Sequence, residues 1–328
     1  MEVVERLSQD EVSLALELVT TDLERVERTL LESSSAATLF LTEAATYLSR
    51  AGGKRLRPAL VELSSHLGSG PDLRVDMTAA ALEMTHLATL YHDDVIDEAE
   101  ARRGAATANG KWGNTVAILV GDYLFARASS LAADVGGEVP RVLADAIARV
   151  VQGQVRELEY GYDCRRTKKH YFSTIQDKTA ALFEASARLG ASVGGCPTRI
   201  SELLAAFGFA FGLAFQVADD LLDLAASQDD LGKPPGTDLR VGVYTLPVLL
   251  AIESEPSLVQ ELGTPDPDVD HIRSIVLKTG AFDEAIGVAT GHAQRALSLL
   301  KGAPQCPARD SLERLTRLII ERVPRLIE

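Results

Sequence analysis

Apolar residues recur at three- and four-residue spacing through long segments of this 328-residue chain, and this spacing limits the fold more than any other feature. In the segment 72–97, for example, Val75, Ala79, Leu82 and Leu87 follow one face of a helix. No segment alternates apolar and polar residues as a half-buried strand does, and glycine and proline clusters lie far apart. The aromatic content is only 5%, whereas sheet proteins usually depend on aromatic and β-branched strands. The sequence therefore predicts an all-α protein built as a single large helical bundle.

No break in the chain divides it into domains. The short glycine and proline clusters suit connections between helices, and no Pro-, Ser- or Gly-rich tract is long enough for a linker. We therefore expect one domain over residues 1–328. The N-terminal segment lacks the apolar core of a signal peptide, and the apolar stretch 207–218 is shorter than the ~20 residues that span a bilayer. With three widely spaced cysteines, these features predict a cytoplasmic protein without a transmembrane segment.

The net charge of −14 restricts the possible partners. Proteins that bind nucleic acid are usually basic, because neutralising phosphate groups supplies most of their affinity. We therefore expect no nucleic-acid partner. One basic run, at 165–169, lacks glycines and nearby carboxylates and is predicted to be a solvated loop.

Two aspartate clusters with the same DDxxD pattern lie within apolar helical segments. The first contains Asp93, Asp94 and Asp97, and the second contains Asp219, Asp220 and Asp223. In each cluster the outer aspartates are four positions apart, which places them on one helix face about 6 Å apart along the axis. Carboxylates beside apolar surface are costly unless a cation compensates them, and Mg²⁺ binds carboxylates together with substrate phosphates. Two facing clusters would form a Mg²⁺ site. The alternative is that each cluster is only a solvated helix face.

Basic residues lie close to these aspartates in spite of the acidic composition. The segment 52–58 joins two glycines to three cations, and Arg102 and Arg103 follow the first cluster. Lysine and arginine donors match phosphate oxygens, although cations just after a helix can also simply stabilise its C-terminal end. His86 lies two helical turns before Asp93 and therefore on a similar face. Together with an apolar helical interior, these residues predict a substrate with a phosphorylated head and an apolar remainder.

The ordered set of motifs resembles the trans-isoprenyl diphosphate synthases, the polyprenyl synthetase family. The motifs are GGKRLRP at 52–58, HLATLYHDDVIDEAEARRG at 86–104, GDYLFA at 121–126, GQ at 153–154, KTAALF at 178–183, FQVADDLLD at 215–223 and GKPPGTDL at 232–239. The resemblance implies the isoprenoid synthase type of helical bundle with a central cavity, and a homodimer. It also implies condensation of isopentenyl diphosphate with an allylic diphosphate, with about three Mg²⁺ ions per active site once substrate is bound.

The same resemblance implies roles for individual residues. The Mg²⁺ ligands would be Asp93, Asp97 and Asp219, with Asp94, Asp220 and Asp223 completing the two clusters. The pocket for isopentenyl diphosphate would contain Lys54, Arg57, His86 and Arg103. The allylic substrate would contact Arg102, Lys178, Thr179, Phe215, Gln216 and Lys233. In such enzymes the cations draw charge onto the leaving diphosphate, and the isopentenyl double bond attacks the allylic carbocation.

One position departs from the family pattern. A lysine usually follows the glycine that corresponds to Gly242, and Val243 takes its place here. One expected cation of the allylic site is therefore absent, and we expect altered affinity or rate rather than an inactive enzyme.

Product length depends on the residues below the first aspartates. Ala88 and Thr89, five and four positions before Asp93, are small, whereas short-chain relatives have a Phe or Tyr near this level. We therefore expect a long-chain product of about C30 or more; alternatively, Ala88 is only a good helix former and another helix closes the pocket. A medium-chain, geranylgeranyl-type synthase, a class I terpene cyclase, a non-catalytic partner subunit of a prenyl synthase and a helical scaffold without a ligand remain alternatives.

Overall fold

The computed structural model describes residues 9–102, 105–225, 236–262 and 267–322, and helices dominate this part of the chain. The N-terminal helices are α1 (Gln9–Leu16), α2 (Thr20–Ser33), α3 (Leu39–Arg50), α4 (Leu56–Ser65), α5 (Leu73–Ile96), α6 (Ala108–Trp112), α7 (Asn114–Val135) and α8 (Val139–Glu159). The later helices are α9 (Lys168–Ile175), α10 (Ala181–Val193), α11 (Thr198–Ala225), α12 (Thr237–Arg240), α13 (Leu246–Ser254), α14 (Val259–Leu262), α15 (Val269–Lys278), α16 (Ala281–Leu300) and α17 (Pro307–Arg322). The prediction of an all-α fold is confirmed.

Several short elements complete the described chain. Two 3₁₀ turns lie at Glu17–Val19 and Pro256–Leu258, and a π-helix, Gln176–Ala180, joins α9 to α10. The strands β1 (Ala101–Arg102) and β2 (Ala105–Ala106) pair antiparallel, with Ala101 opposite Ala106. This small pair follows the first aspartate cluster, where the sequence indicated no strand.

The helix α5 carries the first aspartate cluster at its C-terminal end. It begins after Asp72, whose side chain accepts hydrogen bonds from the backbone N–H groups of Arg74 and Val75, and so satisfies two donors that a helix start leaves unpaired. Its middle is buried on all sides and rich in alanine, which has the highest helix propensity. A long, fully packed helix therefore presents Asp93 and Asp94 at one end of the bundle.

Two apolar clusters fill the interior, and α10 contributes to both of them. One cluster packs α2, α3, α5, α7 and α8 together, and the other is built mainly on α11, α13, α16 and α17. The rings of Phe207, Phe211 and Phe215 on α11 are almost fully buried, and Phe183 of α10 lies 5.4 Å and 5.1 Å from the latter two. The apolar stretch 207–218 is therefore a helix of the core, as its length predicted.

Glycines bring α10 into unusually close contact with its neighbours. A Cβ atom on Gly190 would lie 2.2 Å from the carbonyl oxygen of Val61 on α4, and one on Gly208 would lie 2.5 Å from that of Phe183. Gly212 makes the same kind of contact with the residue that precedes α10. Since real side chains do not approach this closely, glycine is required where α4, α10 and α11 meet.

In the described ranges, two helices are long and apolar enough to cross a membrane, namely α7 and α11. Most of α11 lies inside the bundle, whereas α7 leaves more of its surface exposed, including Ile118 and Leu119.

Candidate active site

Both aspartate clusters lie at the C-terminal ends of long helices, and each divides into buried and accessible carboxylates. In the first cluster Asp94 is fully buried, Asp93 is half-buried and Asp97 is exposed. In the second, Asp219 is half-buried, whereas Asp220 and Asp223 are buried. The middle aspartate of each cluster is therefore buried, and the first one is partly accessible.

The middle aspartate of the first cluster forms an ion pair. Arg102 on β1 donates from Nε to Oδ1 of Asp94 at 2.7 Å, and Asn109 donates to the Asp94 carbonyl oxygen at 3.2 Å. Arg102, predicted to contact the allylic diphosphate, is therefore held beside the cluster by the buried carboxylate.

The middle aspartate of the second cluster is held by uncharged donors. The hydroxyl of Tyr171 donates to Oδ2 of Asp220 at 2.5 Å, and Gln216 donates from Nε2 to Oδ1 at 2.8 Å. The Oε1 atom of Gln216 in turn accepts a hydrogen bond from Oγ1 of Thr179 at 2.7 Å. Three predicted site residues thus form one chain of hydrogen bonds. Tyr171 was not predicted, because its position in the sequence does not indicate contact with Asp220, 49 positions away.

Asp223 fixes the chain where it returns to the site. Its carboxylate accepts the backbone N–H of Asp238 at 3.1 Å, and its carbonyl oxygen accepts that of Gly236 at 2.9 Å. The last residue of the second cluster therefore orders the end of the GKPPGTDL motif. Two further predicted site residues, Lys233 and Arg103, lie outside the described residues.

Lys178 lies beside the first cluster and is held there by Glu157 of α8. Its Nζ atom forms an ion pair with the Glu157 carboxylate. Burial alone would lower the pKa of Lys178, but Glu157 and Asp93 outweigh it and raise this pKa. The pKa of Asp93 is raised to about 6, mainly by burial and also by Asp97, while Lys178 opposes the shift. Glu157 was not predicted, although it lies one helical turn after the GQ motif.

The residue pair 178–179 connects the two clusters. Lys178 interacts with the first cluster, and Thr179 reaches the second through Gln216. Burial raises the pKa of Asp220 to about 7, and its bonds to neighbouring donors only partly oppose this. The structure therefore gathers carboxylates whose negative charge is incompletely compensated by the protein.

This donor set fits Mg²⁺, which prefers carboxylate oxygens. Among the described residues, no three acidic, histidine or cysteine side chains are close enough to hold an ion by themselves. Mg²⁺ usually takes one or two protein carboxylates and completes its coordination with water and substrate phosphates.

The cations before α4 have separate surroundings. Arg55 adopts a left-handed backbone conformation with φ 50° and binds Glu27 at 2.8 Å and Glu83 at 3.0 Å, which commits it to the scaffold. The guanidinium of Arg57 is buried 4.6 Å from the centre of the Phe183 ring. In this segment, the predicted pocket for isopentenyl diphosphate therefore depends on Lys54 and Arg57 rather than on Arg55.

The other predicted pocket residues lie on neighbouring helices. Lys54 is half-buried just before α4, and His86 is buried on α5, which packs against α4. Phe215 lies in the buried aromatic group of α10 and α11, directly before Gln216.

Small side chains occupy the level below Asp93. Ala88 is fully buried, and Thr89 donates from Oγ1 to the carbonyl oxygen of His86 at 2.7 Å. The nearby aromatic ring of Tyr91 points to α3, where its hydroxyl donates to the Ala44 carbonyl oxygen at 2.5 Å. Positions 88 and 89 of α5 therefore carry no aromatic side chain.

The segment with the missing lysine packs against the loop after α8. Val243 is half-buried, and the flanking Gly242 stacks so closely on the ring of Tyr162 that a Cβ atom would lie 2.5 Å from it. Arg166 is buried and donates from Nη1 to the carbonyl oxygen of Tyr244 at 3.3 Å. The prediction of a solvated loop at 165–169 is therefore wrong for Arg166, because the loop docks on this segment, and for Lys168 and Lys169, which begin α9.

The chain matches the family model described as Polyprenyl synthetase over residues 39–278. It is 39% identical over 306 residues to nonaprenyl diphosphate synthase of Mycobacterium tuberculosis, which covers 91% of each chain. It is 37% identical over 310 residues to heptaprenyl diphosphate synthase component 2 of Geobacillus stearothermophilus, covering 93% of this chain and 97% of the relative. The crystal structure of a Caulobacter crescentus polyprenyl synthase, complexed with calcium and isoprenyl diphosphate, matches 95% of this chain and 98% of its own, with 34% identity and a TM-score of 0.90. Motifs, fold and relatives agree, and the chain belongs to the polyprenyl synthetase family.

Proposed function

We propose that this protein is a Mg²⁺-dependent trans-prenyltransferase that condenses isopentenyl diphosphate with an allylic diphosphate. The product is an all-trans polyprenyl diphosphate. The observation that carries the proposal is that Lys178 and Thr179 lie between the two aspartate clusters. The aspartates supply metal ligands, and Lys178 supplies a cation at the same place. Family membership supports the same reaction class.

Asp93, Asp97 and Asp219 would hold the metal, with the other three aspartates completing the clusters. When bound, Mg²⁺ supplies positive charge for the diphosphate that leaves the allylic substrate. Lys178 and Arg102 add protein cations at the same end of the site. The allylic carbon–oxygen bond breaks, a carbon–carbon bond forms to the isopentenyl double bond, and the released diphosphate accepts the proton that is lost. Such catalysis depends on positioning and charge stabilisation and needs no side-chain nucleophile.

Lys54, Arg57 and His86 are proposed to bind isopentenyl diphosphate. Lys54 precedes α4, Arg57 is on α4 and His86 is on α5, the helix that carries the first aspartate cluster, and this neighbourhood supports the proposal. Because Arg55 is already bound to two carboxylates, we assign it no contact with substrate.

The product is proposed to be long, of about C30 or more. The small residues Ala88 and Thr89 support this length, as does the orientation of Tyr91 toward α3. The two relatives described above, from Mycobacterium tuberculosis and Geobacillus stearothermophilus, are named for C45 and C35 products.

A cytoplasmic homodimer without a membrane span, each subunit one domain over residues 1–328, is proposed as the working form. The outer faces of α7 and α8 expose a row of apolar side chains that a second subunit could cover. These are Ile118, Leu119, Val151, Val155 and Leu158. A second candidate is the catalytic or non-catalytic subunit of a heteromer, which Val243 and the relative named component 2 both favour.

Incubation of the purified protein with isopentenyl diphosphate, farnesyl diphosphate and Mg²⁺, followed by mass spectrometry, tests these proposals. We expect linear prenyl diphosphates of about C30 or more, lost when EDTA removes the metal. A series ending at about C20 would support the medium-chain alternative. A cyclic hydrocarbon would indicate a cyclase, and no product from a folded protein would favour the partner-subunit alternative. Light scattering of the same sample would distinguish a dimer from a monomer.

A further inference from the structure

The two residues that connect the aspartate clusters lie in an unusual backbone segment. Lys178 and Thr179 belong to the π-helix Gln176–Ala180, in which the N–H of Ala181 bonds to the carbonyl oxygen of Gln176. A π turn is wider than an α turn, is rare, and commonly occurs at functional sites. The residues packed against this segment must therefore stabilise the π-helix relative to a regular α-helix.

One face of α8 supplies these neighbours. Arg149, Gly153, Arg156 and Glu157 are separated by four, three and one positions, which places them along a single stripe of the helix. A Cβ atom on Gly153 would lie 2.3 Å from the backbone nitrogen of Lys178, so α8 contacts the main chain of the π-helix directly. This face of α8 therefore packs against the π-helix.

Asp177, the residue before Lys178, is bound by both arginines of this stripe. Arg149 donates from Nε to Oδ1 at 2.9 Å, and Arg156 donates from Nη1 to Oδ2 at 2.5 Å. Burial opposes ionisation, but the hydrogen bonds from the two arginines lower the pKa of Asp177. The carboxylate is thus fixed at both oxygens by groups on another helix.

The same arginines also bind the backbone where α9 changes into the π-helix. Arg156 donates to the carbonyl oxygen of Ser173 at 3.0 Å, and Arg149 donates to that of Gln176 at 3.4 Å. Arg149 continues to Glu184 in the first turn of α10 at 2.8 Å. The arginines therefore connect the last turn of α9, the π segment and the start of α10.

We propose that Arg149 and Arg156, acting through Asp177, are positioning residues for prenyl transfer. They hold the π-helix in the register that directs Lys178 to the first aspartate cluster and Thr179 to Gln216 beside the second. If the π turn rotates, Lys178 loses its contact with the first cluster and Thr179 loses its hydrogen bond to Gln216. A misplacement of about 1 Å can cost about 10²-fold in rate. This inference rests on the proposed function.

The test compares Arg149→Gln/Arg156→Gln and Asp177→Asn with Arg141→Gln. Arg141 lies on the same helix and forms an exposed ion pair with Asp145, at 3.9 Å, so its loss is a matched control. We expect the double variant to lower kcat about 10- to 100-fold and Asp177→Asn about 10-fold. The KM for isopentenyl diphosphate should not change, because its proposed pocket lies on α4 and α5. Arg156→Lys, which keeps the charge, should retain part of the activity.

Hydrogen exchange followed by mass spectrometry supplies a readout independent of turnover. Peptides that cover residues 173–181 should lose protection in the double variant and in Asp177→Asn, but not in Arg141→Gln, while peptides from α5 stay unchanged. The proposal is overturned if the wild type makes product and both Asp177→Asn and any folded arginine variant match Arg141→Gln in kcat, or if exchange over 173–181 is unaltered. A wild type that makes no product would instead refute the proposed function, and with it the assignment of these arginines to that reaction.

Discussion

The two ends of α5 both carry buried acidic groups, and they differ in what compensates the charge. At the N-terminal end, Arg25 binds Asp76 with two hydrogen bonds, at 2.9 Å and 3.2 Å, and Asp22 at 2.9 Å. Glu62 is fully buried beside them, and its pKa is raised to about 8, first by burial and then by Asp76 and Asp22. Arg25, the contact of His66 Nε2 with Asp22 at 2.8 Å and the proton retained on Glu62 therefore satisfy most of these acidic groups within the protein.

At the C-terminal end, the compensation within the protein is incomplete. Asp94 binds Arg102 directly, whereas Lys178 and Arg102 act on Asp93 and Asp97 from a greater distance, and Lys178 already binds Glu157. These two carboxylates are also the more accessible ones. Buried acids alone therefore do not identify a site; a site is indicated where accessible carboxylates still require an external cation.

The largest expected effect is at the C-terminal end. Asp93→Asn keeps the shape of the side chain but removes a proposed metal ligand, so kcat should fall by about 10³-fold. The melting temperature should not fall, because a carboxylate with a raised pKa is replaced by a neutral group. Initial rates at saturating Mg²⁺ and a thermal melt would measure both. A fall in kcat of less than about 10-fold would contradict the proposed difference between the two ends of α5.

The opposite outcome is expected at the N-terminal end. Asp76→Asn removes the carboxylate that accepts two hydrogen bonds from Arg25, which keeps Asp22 at 2.9 Å, and should lower the free energy of unfolding by about 2 kcal/mol. The kcat of the folded protein should stay near the wild-type value. Urea unfolding followed by circular dichroism measures the change. The control is Glu43→Gln, which breaks an exposed pair with Lys111 and should cost below about 1 kcal/mol.

Glu62 adds a pH dependence to this end. Its carboxyl group takes up a proton near pH 8 in the folded chain and near pH 4.5 in the unfolded chain. Between these values the folded state binds more protons, so the stability that Glu62 contributes falls as pH rises. Glu62→Gln should therefore stabilise the protein at pH 9, on the order of 2 kcal/mol, with a smaller gain at pH 5. Urea unfolding at both pH values is the measurement, and an equal effect at both would rule out this account.

The smallest expected effect comes from adding a cation at the ligand-binding end. Val243→Lys should lower the KM for the allylic substrate about 2- to 5-fold, the effect of one partly exposed charge contact. The matched control is Val241→Lys, because Val241 is exposed two positions earlier in the same segment. Steady-state kinetics with farnesyl diphosphate would compare them. An unchanged or higher KM for Val243→Lys would count against a contribution of this position.

The helices and the aspartate clusters could be predicted from the sequence because both depend on spacing along one helix. Partners on other helices could not, because spacing does not tell which helix faces meet. Arg55 and Arg57 look equivalent in the sequence, yet Arg55 pairs with Glu27 and Glu83, whereas the guanidinium of Arg57 lies over the Phe183 ring. Tyr171 reaches Asp220 across 49 positions, and Arg166 is buried only because its loop docks on another segment.

The glycine contacts of α10 restrict how such a chain can change in evolution. A methyl group at Gly190 or Gly208 would meet main-chain atoms of the neighbouring helix rather than a side chain that could shrink in exchange. No single substitution elsewhere restores the lost space, because a whole helix would have to move. Descendants of this sequence can therefore vary exposed positions such as Val241 one residue at a time. The α4–α10–α11 contacts can change only through several coordinated substitutions.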